Sequence, residues 1–119
     1  MAQQLAKRLQ QSNGGVVLLR GEMGAGKTTL VAETVKLLDP TARPCSPTFA
    51  IINQYNEHLY HADLYRLRGP EQIADTGLGD LCVPGNYVFI EWPGELAFPN
   101  AMTVTITVKE DGTREFIID

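Results

Sequence analysis

The sequence contains few residues of the kinds that bind zinc or form disulfides. Its 119 residues include two cysteines, Cys45 and Cys82, and two histidines, His58 and His61. These residues do not form the closely spaced cysteine and histidine pattern of a zinc site. Two cysteines so far apart also do not make a disulfide framework, so we expect free thiols in a reducing cytoplasm.

Long apolar runs and an excess of positive charge are missing as well. The longest uninterrupted aliphatic run covers residues 16–19, whereas a helix needs about 20 apolar residues to cross a bilayer. Residues 1–11 lack the apolar core of a signal peptide, and we predict no membrane contact. Ten Lys and Arg residues stand against fourteen Asp and Glu residues, for a net charge of −4. This balance disfavours autonomous nucleic-acid binding, which usually requires a basic excess.

Two helices and a buried strand are predicted in the N-terminal part. Leu5 and Leu9 lie four positions apart among polar residues, which indicates an amphipathic helix that ends at Ser12-Asn13-Gly14-Gly15. The run at residues 16–19 is bounded by glycines and predicts a buried strand. Residues 28–38 carry apolar side chains at helical spacing and predict a second helix.

The remaining segments alternate between strand-like and helix-like patterns. Asn56-Glu57-His58 separates two β-rich runs, and Asp111-Gly112 is a strong hairpin signal between two others. Pro70 suits the first position of a helix. We predict strands at 49–55, 59–65, 87–90, 102–108 and 113–118, and short helices at 71–75 and 78–81.

A glycine-rich segment follows the first predicted strand. Gly21-Glu22-Met23-Gly24-Ala25-Gly26-Lys27-Thr28 matches the phosphate-binding pattern G-x-x-x-x-G-K-S/T in full, and Thr29 comes next. The glycines allow a tight bend that turns backbone N–H groups inward as an anion nest. The helix after them directs the positive end of its dipole at the phosphates. Because the strand and the helix that this motif needs are both predicted, we interpret residues 21–29 as a nucleotide phosphate site.

The motif also predicts the cofactors. In such a loop Lys27 reaches the β- and γ-phosphates, and the Thr28 hydroxyl can bind the Mg²⁺ ion that accompanies the nucleotide. GTPases that recognise guanine carry an Asn-Lys-x-Asp element, and this chain has no Asn-Lys dipeptide. We therefore expect ATP and Mg²⁺.

A phosphate loop also needs a carboxylate that completes the magnesium site or orders water. The apolar run at residues 87–90 ends in Glu91, which is our first choice, although a solvated Glu after a strand is common. Asp63 is the second choice. If its segment is a strand, His61, Asp63 and Tyr65 share one face, which equally fits the polar face of a half-exposed hairpin.

These features predict an α/β fold of the P-loop NTPase type, with three layers and a mixed sheet that carries helices on its faces. A length of 119 residues fits one domain over residues 1–119 and leaves little room for a second substrate domain.

Four blocks along the chain form a more specific combination than the glycine loop alone. The blocks are Gly21-Glu22-Met23-Gly24-Ala25-Gly26-Lys27-Thr28-Thr29, Ser46-Pro47-Thr48-Phe49, His61-Ala62-Asp63-Leu64-Tyr65-Arg66-Leu67 and Ile90-Glu91-Trp92-Pro93. Together they resemble the TsaE family, the P-loop ATPases of bacterial tRNA threonylcarbamoyladenosine synthesis. Family members usually carry a further segment before the first helix, whereas this chain begins almost at that helix.

The resemblance implies a weak, Mg²⁺-dependent ATPase that acts as a nucleotide switch with the proteins TsaB and TsaD during synthesis of threonylcarbamoyladenosine at position 37 of tRNA. It implies tRNA contact mainly through these partners. Its implied catalytic residues are Lys27, Thr48, Asp63 and Glu91, with Thr28 and Glu91 at the metal. Trp92 is implied to pack near the site.

For several other residues, both a functional and a purely structural role fit the sequence. Cys45 could be a reactive thiol, but a free structural cysteine is more common. His61 could orient Asp63 or simply be packed or solvated. Arg43 and Arg66 could touch phosphate or tRNA, yet surface ion pairs are the commoner fate of arginine.

Two alternative functions fit the motif. A small-molecule kinase would need an acceptor pocket and a lid, for which the chain has little length. A nucleotide-dependent binding module would bind ATP without useful hydrolysis.

Overall fold

An amphipathic helix leads into the central strand of the sheet. In the computed structural model, which describes residues 1–43, 51–67, 69–94, 98 and 101–119, helix α1 is Ala2–Ser12 and strand β1 is Gly15–Gly21. Helix α1 buries Leu5 and Leu9 and ends at Asn13, whose left-handed backbone caps it. The prediction of this helix is confirmed.

Helix α2 follows the glycine loop and covers Lys27–Leu38. Its buried apolar residues Leu30, Val31 and Val35 recur at helical spacing and face the sheet. The helix ends at Asp39, whose extended backbone is the conformation favoured before a proline.

The rest of the chain forms two hairpins, two short helices and one further buried strand. The last three predicted strands are seen with boundaries that move by one residue at most. The elements are β2 (Ile52–Asn56), β3 (Leu59–Asp63), α3 (Pro70–Asp75), α4 (Leu78–Leu81), β4 (Tyr87–Glu91), β5 (Met102–Val108) and β6 (Arg114–Ile118).

These strands form a single six-stranded sheet of order β2-β3-β4-β1-β5-β6. Strand β1 runs parallel to β4 and β5, and β3 runs parallel to β4, whereas the two edge hairpins are antiparallel. The carboxyl ends of β1, β3, β4 and β5 therefore meet at one edge, where α/β proteins bind their ligands.

The core has two halves, one on each face of the sheet. Helices α1 and α2 pack on one face against Val17, Leu19 and Phe89. On the other face, Leu18 and Ile90 pack with residues that include Leu78 of α4 and Ile73 of α3. The middles of β1 and β4 are buried on both faces of the sheet, which explains the apolar runs at residues 17–19 and 88–90. The predicted three-layer α/β fold with a mixed sheet is confirmed.

The largest differences from the predicted strand boundaries lie in the β2–β3 hairpin, where β2 begins at Ile52 and Ile51 is not part of it. Strand β3 ends at Asp63 because the chain turns there, with the Leu67 N–H bonded to the Leu64 carbonyl. Tyr65 is therefore not on the strand face that it was predicted to share. Asn56 belongs to β2, and its side chain accepts the His58 N–H across a two-residue turn. Residues 49–50 of the predicted first strand of this hairpin lie outside the described residues.

In the described parts of the chain, the helices are too short and too polar to cross a bilayer.

Candidate functional site

The glycine loop, residues 21–29, connects β1 to α2 at the carboxyl edge of the sheet. Gly21 approaches the neighbouring strand so closely that a Cβ there would lie 2.8 Å from the Ile106 carbonyl oxygen. Gly26 has a φ of 106°, in the left-handed region that favours glycine. The sequence thus places glycine where the backbone must turn sharply into the helix.

Lys27 is 4% exposed and folds back over the loop. Its ammonium donates hydrogen bonds to the carbonyls of Gly21, at 2.6 Å, and Glu22, at 3.0 Å. It also lies 4.1 Å from the centre of the Trp92 ring, within the range of a cation–π contact. The positive charge of Lys27 is therefore held against the backbone at the start of the loop.

Glu91 is in direct contact with Thr28 of the glycine loop. The Thr28 hydroxyl lies 3.0 and 2.9 Å from the two carboxylate oxygens of Glu91. Glu91 is the last residue of β4 and pairs in register with Leu19 of β1. Because β4 lies beside β1, its terminal carboxylate reaches the first turn of α2.

His61 is the second partner of Glu91. Its Nε2 lies 2.5 Å from a carboxylate oxygen of Glu91, and both side chains are buried. Burial has the largest single effect and raises the pKa of Glu91, but the hydrogen bond and charge of His61, the Thr28 hydrogen bond and the charge of Lys27 together outweigh it. The pKa of Glu91 is therefore lowered below its ordinary value, and the carboxylate is ionised at neutral pH.

Asp63 lies beside Glu91 at the end of β3, since the two residues pair in register across the parallel strands. Its carboxylate accepts the Tyr65 N–H at 3.0 Å and is exposed. The idea that His61 orients Asp63 is not what the structure shows, because the His61 ring bonds Glu91 instead. The strand pleat puts His61 and Asp63 on one face, but only His61 is deep enough to reach Glu91.

Trp92 follows Glu91 with an unusual backbone, at a φ of 58°. A left-handed conformation at a bulky residue is strained and persists only where surrounding contacts hold it. Here the ring contacts Lys27 and also the Tyr65 ring, at a centroid distance of 4.9 Å. The predicted position of Trp92 near the loop agrees with the structure.

A cavity of about 300 Å³ collects most of the predicted site residues. It joins the loop to the ends of β3 and β4, and its size is that of a small ligand pocket. Its lining residues are Met23, Gly24, Gly26, Lys27, Thr28, Thr29, Asp63, Glu91, Trp92 and Arg114.

Three features of this region were not predicted from the sequence. They are the His61–Glu91 pair, the Tyr65–Trp92 contact and the presence of Arg114, which lies outside every recognised motif. A regular strand spacing could have suggested the face of the sheet on which His61 lies, but no local signal pointed to Arg114. The predicted residues Cys45, Ser46, Pro47, Thr48 and Phe49 lie outside the described residues.

The two other arginines considered earlier lie away from the cavity lining. Arg43 is exposed and donates to the Ala42 carbonyl at 2.8 Å. Arg66 is exposed on the turn after β3.

The site offers oxygen ligands suited to Mg²⁺. Within the described ranges, no group of three or more His, Cys, Asp or Glu side chains could hold a metal by itself. Mg²⁺ is usually held by one or two protein oxygens together with nucleotide phosphates and water. The Thr28 hydroxyl and the Glu91 carboxylate fit that arrangement.

Comparison with known proteins gives a consistent result. The family model described as "Threonylcarbamoyl adenosine biosynthesis protein TsaE" matches residues 1–116. A tRNA threonylcarbamoyladenosine biosynthesis protein TsaE from Nostoc is 40% identical over 112 residues, which cover 86% of this chain and 68% of the relative. The protein of the same name from Synechocystis is 50% identical over 107 residues, covering 79% and 62% of the two chains.

The fold has a solved counterpart. The crystal structure of Bacillus subtilis YdiB superposes with a TM-score of 0.62 over 98% of this chain and 78% of that chain, at 24% sequence identity. At that identity the likeness supports the fold alone.

Proposed function

Because this chain belongs to the TsaE family of threonylcarbamoyl adenosine biosynthesis proteins, we propose that it is the ATP-binding and ATP-hydrolysing component of that pathway. It acts as one domain, in the cytoplasm, as a nucleotide switch that works with the proteins TsaB and TsaD. Contact with tRNA is made mainly through these partners, in keeping with the net charge of −4.

The contact between Thr28 and Glu91 supports this proposal best. A phosphate loop is only an anion site until a carboxylate from a neighbouring strand reaches its threonine. Here both Glu91 oxygens lie within 3.0 Å of the Thr28 hydroxyl. This is the arrangement that a magnesium-dependent nucleotide hydrolase needs, and a glycine turn without phosphate chemistry would not require it.

Each residue of the loop cavity has a separate role in ATP binding or hydrolysis. Lys27 leaves the Gly21 and Glu22 carbonyls and binds the β- and γ-phosphates, while the loop N–H groups bind their oxygens. Thr28 and Glu91 would hold Mg²⁺, which would neutralise phosphate charge when bound. Asp63, exposed beside Glu91, accepts a hydrogen bond from the attacking water.

Slow turnover by the isolated chain follows from this division. The catalytic bases of fast ATPases are held rigidly against the γ-phosphate, whereas the Asp63 carboxylate is exposed and accepts the Tyr65 N–H. A partner that covers this edge of the sheet would exclude water from the cavity and strengthen its electrostatics. Stimulation by TsaB and TsaD is the expected consequence.

The test is ATP hydrolysis by the purified chain, measured with and without TsaB and TsaD from the same source. We expect slow release of phosphate by the chain alone and a clear rise with both partners. Turnover that ignores the partners would remove the switch role and leave an independent ATPase. Phosphate transfer to an added small-molecule acceptor, without partner dependence, would favour a kinase instead.

A further inference from the structure

Arg114 is brought to the glycine loop by the β5–β6 hairpin. Strand β5 runs parallel to β1, and Gly21 pairs in register with Ile106. Strand β6 returns antiparallel, so its first residue, Arg114, pairs with Val108. Val108 is two residues beyond Ile106, the partner of Gly21. Arg114, the partner of Val108, therefore lies at the same edge of the sheet as the start of the glycine loop.

The Arg114 side chain lies along the loop backbone. Its Nη2 is 3.4 Å from the Gly24 carbonyl oxygen, a long hydrogen bond in an exposed setting. Its Nε lies 3.5 Å from the place that a Cβ at Gly26 would occupy. The absence of a side chain at Gly26 thus leaves the guanidinium room to rest on the loop.

The charge of Arg114 has no carboxylate partner among the residues that the structure describes. The ion pairs found there join His61 to Glu91 and Lys109 to Glu115, and Arg114 takes part in neither. A guanidinium has five N–H donors, and the bond to Gly24 uses one of them. A cation with donors to spare therefore lies beside a loop built to bind an anion.

Arg114 also stands between two cavities. The loop cavity already described shares Gly26, Thr29 and Arg114 with a second cavity of about 360 Å³, here called the side cavity. The side cavity is further lined by Leu30 and Phe116, which are apolar, and by the carboxylate-bearing Glu33. An apolar wall with a few polar groups is typical of a site for a flat heterocycle.

The direction of a bound nucleotide follows from Lys27. In this type of loop the lysine reaches the β- and γ-phosphates, and Lys27 lines the loop cavity but not the side cavity. We therefore place the α-phosphate and the nucleoside toward Gly26, Thr29 and Arg114, the residues that line both cavities.

On the basis of the proposed function, we propose that Arg114 is a nucleotide-binding residue. Its guanidinium donates hydrogen bonds to the α-phosphate at the junction of the two cavities, and the nucleoside occupies the side cavity against Leu30 and Phe116. Arg114 thus fixes the nucleotide at the end that Lys27 does not reach.

Calorimetric titration of the whole chain with ATP and with ADP tests the role of Arg114. We expect Arg114→Ala to raise both dissociation constants about tenfold, because a charged hydrogen bond to phosphate is lost. Arg114→Lys should fall between this variant and the parent, since lysine keeps the charge but not the fork. Arg8→Ala removes the same charge from the exposed face of α1 and should leave both constants within about twofold.

The outcomes separate the two proposals. Parent-like affinity in folded Arg114→Ala overturns the role of Arg114, whatever the affinity of Arg114→Lys, while the proposed function stands. Absence of ATP binding by the parent overturns both together. Equal losses in Arg8→Ala and Arg114→Ala would reduce the effect to net charge and overturn the inference.

Photolabelling with 8-azido-ATP tests the position of the nucleoside. Peptide mapping should find the label on the segment that contains Leu30 and Glu33, or on the one that contains Phe116. Label confined to residues 105–108, which line another cavity beside Trp92, would overturn the assignment of the side cavity.

Discussion

The Nε2 atom of His61 lies 2.5 Å from a carboxylate oxygen of Glu91, and both side chains are buried. The carboxylate also accepts the Thr28 hydroxyl. Thr28 and His61 therefore hold the Glu91 carboxylate in place through contacts within the chain itself. Such preorganisation lowers the cost of assembling a charged site.

We expect His61→Ala to lower the free energy of unfolding by about 2–4 kcal/mol, because it leaves a buried carboxylate with one partner fewer and opens a cavity. His61→Gln, which can still donate a hydrogen bond to Glu91, should recover part of that loss. Urea unfolding of both variants measures it. Exposed His58, in the β2–β3 turn, gives the control His58→Ala, and equal losses at both histidines would contradict the pairing.

Lys27→Ala should weaken ATP binding by about 2 kcal/mol or more, since it removes charged hydrogen bonds to phosphate. Calorimetric titration measures this change. Lys36→Ala is the matched control, because Lys36 is exposed on the same helix and carries the same charge. Unchanged affinity in folded Lys27→Ala would count against the phosphate site.

Glu91→Gln should reduce ATP hydrolysis about 100-fold while changing ATP affinity much less, because the carboxylate acts on the metal rather than on the nucleotide itself. Phosphate release and calorimetry on the same samples separate the two effects. Glu57→Gln, in an exposed turn, should behave as the parent. Equal turnover in Glu91→Gln and the parent would remove Glu91 from the mechanism.

Cys82 should react slowly with iodoacetamide, because burial raises the pKa of its thiol and only the thiolate is nucleophilic. In a Cys45→Ser background, the rate should rise with pH and reach its half-maximum at a higher pH in the folded chain than in urea. Mass spectrometry follows the alkylation. Coincident pH profiles in the two conditions would show that burial does not affect this thiol.

Much of the fold could be predicted because its signals are local. The apolar run of β1, the glycine loop and the spacing of Leu30, Val31 and Val35 each depend on neighbours in the chain. Errors concentrate at strand ends. Strand β3 stops at Asp63 rather than Tyr65, because a turn bonded from Leu67 to Leu64 overrides the β propensity of the sequence.

The candidate site could be predicted only in part. Glu91 was identified because it ends an apolar strand-like run, and Asp63 because it shares a predicted strand face with His61; the structure brings both to the loop cavity. Of the two alternatives for His61, a packed side chain agrees with the structure, whereas its partner is Glu91 and not Asp63. Strand spacing reports the face of a residue but not the depth of its side chain.

The sequence by itself determined the strand, glycine loop and helix that hold Lys27 and Thr28, because each is specified by residues close together in the chain. Only the tertiary structure decided that Glu91 meets Thr28, 63 positions away, and that Arg114 meets Gly24, 90 positions away. The physical reason is strand order: packing of β4 and β5 on either side of β1 sets which side chains reach the loop, and no local pattern encodes that order.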